Sequence, residues 1–152
     1  MTFEQTIELP AAPDEVWAFV MDVPAVATCL PGADAVEPLG EDRYAVTVKV
    51  KVGPIALALK SEVAILAADI ATRTASLRLD AADKRLGGAV RATMTMKLEA
   101  GGAGTIMHVT TDATVMGRIG DFGQPMIRKK ADQMLIETGA SMAAALQARA
   151  TV

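Results

Sequence analysis

From Arg43 to Val52 the chain alternates without a fault. Tyr44, Val46, Val48, Val50 and Val52 fall on one side, and Arg43, Ala45, Thr47, Lys49 and Lys51 on the other. A period of two is the repeat of a β-strand, whose successive side chains point to opposite faces. Such a strand has one oily face and must lay it on something, which excludes an all-helical chain. The pattern recurs downstream. Ile55, Leu57, Leu59, Ser61, Val63 and Ile65 form a second inward row. Ala75, Leu77 and Leu79 form a third, within a strand over 72–81. Ala92, Met94, Met96 and Leu98 form a fourth, and Met107, Val109, Thr111, Ala113 and Val115 a fifth. Gly40-Glu41-Asp42, Gly53-Pro54 and Gly101-Gly102-Ala103-Gly104 are turns between them. Gly87-Gly88 is expected to bulge or bend a long strand.

The ends of the chain read differently. Phe3, Gln5, Ile7 and Leu9 alternate with acids and threonine as a half-buried strand, which Pro10 ends. Pro13-Asp14-Glu15 opens a helix with proline and acids in its first turn, and Val16, Trp17, Phe19 and Val20 supply its apolar side. Pro24 begins a second short helix, stopped by Pro31-Gly32, and a short strand follows from Asp34 to Leu39. After Met116 the glycines Gly117, Gly120 and Gly123 loosen the chain. Then Ile127, Ala131, Met134, Leu135, Thr138, Met142, Ala145 and Leu146 recur at helical spacing. With Pro125 as first residue, roughly 25 residues at about 1.5 Å each make a helix on the order of 37 Å long.

The expected fold class is therefore α+β: one domain over 1–152, with a curved antiparallel sheet of about seven strands around one long C-terminal helix and two short helices after the first strand. A sheet curled around a helix leaves a tunnel between the layers. Leu57, Leu59, Leu77, Leu79, Met94, Met96, Met107 and Val109 would line it from the strands, and Phe122, Met126 and Ile127 from the helix entry. Thr111 and Ser61 are its hydrogen-bonding groups. Nine methionines among 152 residues suit either a plastic cavity or a gap-filled core, because Met adapts its shape. The rows leave both readings open.

Composition removes other classes. The net charge is −3 and five residues are aromatic, so the chain offers neither a basic face nor a stacking platform for nucleic acid. A single cysteine makes no internal disulfide, which points to the cytoplasm. A strand pattern beginning at Phe3 leaves no room for a signal peptide, and no apolar run approaches the ~20 residues that span a bilayer. Catalytic groups are not apparent either. His108 sits on the outward phase of its strand, so a Cys29–His108 dyad is not expected. One His and one Cys do not make a usual zinc set, so no metal is expected. Glu62, Asp80 and Asp112 fall on outward phases and Asp69 in a turn. Arg128-Lys129-Lys130 spreads around the last helix. All of these read as solvated charges.

Four motifs carry a resemblance: Pro13-x-x-Val16-Trp17, Cys29-Leu30-Pro31-Gly32, Val48-Lys49-Val50-Lys51-Val52-Gly53-Pro54, and Val115-Met116-Gly117-x-x-Gly120. With the element order, they make the chain resemble the helix-grip superfamily of START-like and birch-allergen-like proteins. Within it, the chain is similar to the carbon monoxide dehydrogenase G-subunit family. The resemblance covers essentially the whole chain and implies a non-enzymatic accessory protein of a molybdenum-containing dehydrogenase. It also implies an apolar ligand, with menaquinone or another prenyl lipid as candidate and no covalently bound cofactor, and a role at the inner face of the cell membrane. Family members continue past the long helix to an anchoring tail, whereas this sequence ends at Val152. Trp17, Cys29, Leu30 and Pro31 join the lining residues as candidate ligand contacts at the mouth of the tunnel.

Overall fold

The computed structural model describes residues 1–150. The elements run β1 (Thr2–Leu9), α1 (Pro13–Val20), α2 (Val23–Ala27), β2 (Ala33–Gly40), β3 (Arg43–Val52), β4 (Ile55–Asp69), β5 (Thr74–Asp83), β6 (Gly88–Gly101), β7 (Gly104–Gly117), a 3₁₀ turn (Arg118–Phe122) and α3 (Gln124–Ala150). The seven strands form one antiparallel sheet in the order β1-β7-β6-β5-β4-β3-β2. Six of them are a simple meander, and β1 closes on β7 at the far edge. The sheet curves around α3, as the alternation and the long helical stripe imply.

The inward phase of each strand is the apolar one. Val46, Val48, Val50 and Val52 on β3 are buried, as are Leu98 on β6 and Met107 and Val109 on β7. Register then aligns the rows across the sheet. Val63 faces Leu79, Leu79 faces Ala92, and Ala92 faces Ala113. The α3 backbone comes closest to β1 and β3, near the two edges of the sheet. At β1 the approach is tight, since a side chain at Gly139 would meet Ile7 at 3.1 Å.

Local chemistry explains the joints. Pro13 sits in the first turn of α1 with Asp14 and Glu15, where a missing N–H costs nothing and acids meet the positive helix end. The Asp22 side chain caps α2 by accepting from Ala25 N–H at 3.3 Å. The β2–β3 turn places Glu41 and Asp42 at φ of 54° and 59°, the backbone that a tight primed hairpin requires.

Three expectations change. Gly87-Gly88 is not a bulge within a strand. β5 ends at Asp83, Gly87 adopts φ +82°, and β6 starts at Gly88. The reason is Asp83, whose carboxylate accepts from Leu86 N–H at 3.0 Å and closes the turn. Ile55, assigned to the inward row, is 38% exposed, because it sits at the tip of the β3–β4 hairpin, beyond the end of β5. The loosened glycine approach to α3 contains an ordered 3₁₀ turn whose Ile119 is buried.

Candidate functional site

The space between sheet and helix is not filled evenly. One buried cluster joins Leu9, Val16, Trp17, Phe19, Cys29, Leu98, Met107 and Val109 to Met142 and Leu146 of α3, with Met94 and Met96 packed against it. A second, on the β3–β4 side, joins Val46, Val48, Val50, Val52 and Leu57, with Leu30, Leu59, Leu86, Phe122 and Met134 against it. Neither cluster includes the middle of the inner face. There Val63, Leu77, Leu79, Val90, Thr111, Ala113 and Val115 lie on the inward phase yet stay half-buried, as do Ile127 and Ala131 on the facing helix. The inner face there is lined by small groups, Ser61, Ala81, Ala92 and Ala113, which lie on neighbouring strands. Inward apolar side chains that keep solvent-accessible surface, above a row of small residues, mark an interlayer hollow between two packed poles.

The sequence-predicted residues divide accordingly. Leu77, Leu79, Thr111 and Ile127 border the hollow. Leu59 and Phe122 reach it from the second cluster, and Met94 and Met96 from the first. Trp17, Cys29, Met107, Val109 and Leu57 are solid core, each 9% exposed or less. Met126 stands apart. It is 46% exposed, because at about 100° per residue it points well away from the stripe led by Ile127.

The Cys29-Leu30-Pro31-Gly32 corner bridges the poles. Cys29 belongs to the first cluster and Leu30 packs on the second. The Cys29 thiol donates to Ala25 C=O at 3.6 Å, across one turn of helix. Pro31 is half-buried beside it. Gly32 adopts φ +85° and presses on Lys49 C=O, and a Cβ there would overlap that carbonyl. Gly32 C=O also accepts from Lys49 N–H at 2.8 Å. The corner thus fastens α2 to β3.

Polar chemistry inside is sparse. Ser61 Oγ donates to Leu59 C=O at 3.5 Å, and Thr138 Oγ1 to Met134 C=O at 2.7 Å. Periodicity missed Asp83. It lies on the inward phase, only 3% exposed, and its carboxylate accepts from Ala58 N–H at 2.9 Å as well as from Leu86 N–H. These two N–H donors, Leu86 first, hold its pKa below the ordinary carboxylate value. Its strand position, two residues beyond Ala81 on the same phase, was the available signal. Both oxygens serve the backbone, so Asp83 is a structural carboxylate. His108 lies on the outer face, 2.7 Å from Glu99, whose pKa this hydrogen bond lowers. Cys29 lies between the layers, so the sheet separates the two residues and they form no dyad. Glu62 and Asp80 are ion-paired on the outer face, to Arg43 and to Arg78 and Arg91 respectively. Among the described residues, no three His, Cys, Asp or Glu side chains gather as a metal site, and no helix is long and apolar enough to cross a membrane.

Known structures share this architecture. A conserved protein from Geobacillus kaustophilus superposes with a TM-score of 0.88 at 20% identity, covering 97% of this chain and 95% of its own. The Zhui aromatase/cyclase from Streptomyces sp. R1128 superposes at 0.71 with 19% identity, covering 99% and 95%. A START superfamily protein from Mycobacterium smegmatis superposes at 0.69 with 13% identity, covering 96% and 97%. At these identities the likeness is one of fold. No curated protein matches the chain. The family model for the G subunit of carbon monoxide dehydrogenase (CoxG) matches residues 6–147. That span runs from β1 through the last turns of α3 and includes both packed poles, the corner between them and the hollow. The chain belongs to this carbon monoxide dehydrogenase family, CoxG.

Proposed function

We propose that this protein is a non-enzymatic accessory component of a molybdenum-containing carbon monoxide dehydrogenase. It holds an apolar ligand, an isoprenoid quinone such as menaquinone, in the interlayer hollow and links the enzyme to the membrane. The observation that carries the reading is the hollow itself: inward-facing Val63, Leu77, Leu79 and Thr111 remain half-buried between two packed clusters. Apolar surface left open to water costs about 25 cal/mol per Å². An empty void of roughly 400 Å³ would cost on the order of 10 kcal/mol, as much as a whole domain's net stability. An occupant removes that cost, and each buried CH₂ of a prenyl chain contributes about 0.8 kcal/mol. With Ser61 and Thr111 as the polar groups at hand, selection is by shape and length.

The absence of enzymatic activity is part of the proposal. Acid–base catalysis in such a cavity needs a side chain free to take or give a proton. Here the one inward carboxylate, Asp83, has both oxygens committed to backbone N–H groups. In the proposed cycle the protein takes a quinone from the bilayer, presents its ring to the dehydrogenase and returns it reduced.

Mass spectrometry of an organic extract of the purified protein tests the ligand, together with a thermal-shift titration with menaquinone. A co-purified prenyl lipid and a rising melting temperature are expected. No lipid and no shift would leave the second reading, a docking or maturation factor without a small ligand. The filling of one pole by Met94, Met96 and Met107 against α3 is the observation that favours it.

A further inference from the structure

The charge of this protein is sorted by end. Register places three features at one end of the sheet: the β3–β4 turn, the β5–β6 turn, and the end of β7 with the start of α3. Segments 49–55, 84–91 and 116–130 at this end hold nine of the fifteen Lys and Arg and, of eighteen carboxylates, only Asp121. Lys51, Lys84, Arg118 and Lys129 are exposed there and have no carboxylate partner among the described residues. The opposite end is acidic. Its turns and the start of α1 carry Asp14, Glu15, Glu41, Asp42 and Glu99, and its Arg73 is bound by Asp14 at 2.7 Å. Large apolar side chains break the surface at the cationic end: Ile55 at 38%, Met116 at 40% and Met126 at 46% exposure. Phe122 and Leu86, which border the second cluster, lie just inside this rim.

We infer that this end is a docking face for an anionic lipid surface, with the hollow opening toward the bilayer. The inference deepens the reading above, because it names the surface from which the apolar ligand is taken. A bilayer rich in phosphatidylglycerol offers what this face lacks: anions for the unpaired cations and hydrocarbon for Ile55 and Met116. An acidic protein would supply the first but not the second. The net charge of −3 repels the same membrane from every other side, so charge sets orientation as well as attraction.

Co-sedimentation with vesicles, in protein stripped of any ligand, tests this. The protein is expected to sediment with mixed phosphatidylglycerol/phosphatidylcholine vesicles at low salt and not with pure phosphatidylcholine. It should come off at about 1 M salt, where the screening length falls to about 3 Å. The triple variant Lys51→Gln, Lys84→Gln, Arg118→Gln should lose at least roughly tenfold in partitioning. The triple Arg43→Gln, Arg78→Gln, Lys97→Gln has the same net charge, with its changes elsewhere on the molecule, and should keep its binding. Circular dichroism of both variants verifies folding. Equal losses in the two variants, no binding to anionic vesicles, or capture of an acidic protein in place of vesicles would overturn the inference. Quinone retention is read separately. Vesicle binding without quinone retention would sink the ligand reading and leave the docking face standing.

Discussion

Single residues here do structural duties that their chemistry disguises. Cys29 resembles a reactive centre in the sequence and is a buried packing group in the fold. Cys29→Ala is expected to cost about 1 kcal/mol, the order of one buried methylene, with lipid retention unchanged; urea denaturation and extraction of the variant check both. Gly32 matters more. Its backbone is left-handed and lies against Lys49 C=O, so Gly32→Ala adds about 1–2 kcal/mol of conformational strain and forces β2 from β3. A loss of at least about 2 kcal/mol in urea denaturation is expected. Asp83 predicts a pH dependence. Its folded pKa lies below its ordinary 3.8, so the stability it contributes is fully present above that value and is lost as the pH falls through the lower, folded value. Asp83→Asn should lower stability at neutral pH, because an amide NH₂ would face one of the two backbone N–H donors. It should also flatten the acid limb below pH 3.8, as read by denaturation at several pH values.

Among the elements, strands were more legible than joints. The alternation of Tyr44 to Val52 announced β3 because one of its faces is wholly inside and the other wholly outside. The same reasoning failed at Ile55, since phase alone does not say where a neighbouring strand stops, and at the β5–β6 turn, where a carboxylate rather than a glycine decides the chain's path. In α3 the stripe from Ile127 to Leu146 identified the inner face but not how closely it would lie. Gly139 lets the helix touch Ile7 on β1, while its first half stands over small residues. This contrast predicts the behaviour of Ala113→Leu. In a packed core, added methylenes cost about 1–3 kcal/mol. Over a hollow, the variant should keep its melting temperature within a few degrees and retain roughly tenfold less prenyl lipid; a large drop in stability would mean the layer is already full.

At the scale of the whole molecule, the architecture is two aliphatic poles joined by a corner, with an opening between them. One pole binds the C-terminal half of α3 to the sheet through Met142 and Leu146. The other holds its start through Phe122 and Met134. A ligand lying between them joins the two, so saturation should raise global stability. At about 100 times Kd the gain is about 2.7 kcal/mol, a rise in Tm of roughly 5–10 °C for a chain of this size. Differential scanning fluorimetry with menaquinone, against a short-chain quinone of the same ring, separates chain burial from ring binding: the long chain should give the larger rise.

The sequence by itself determined the secondary structure, its order and the direction of each face, because periods of two and 3.6 are local consequences of backbone geometry. It also carried the family, in motifs that include the corner at Cys29 to Gly32 and the Lys-Val-Gly-Pro turn. Only the tertiary structure decided which inward residues pack and which line open space. Trp17, Met107 and Leu79 share the same apolar character, and their different surroundings come from register, sheet curvature and helix stand-off. Long-range pairing likewise gathered cations from three distant segments onto one end. Net charge sums over the whole chain, so its value of −3 holds no trace of that arrangement.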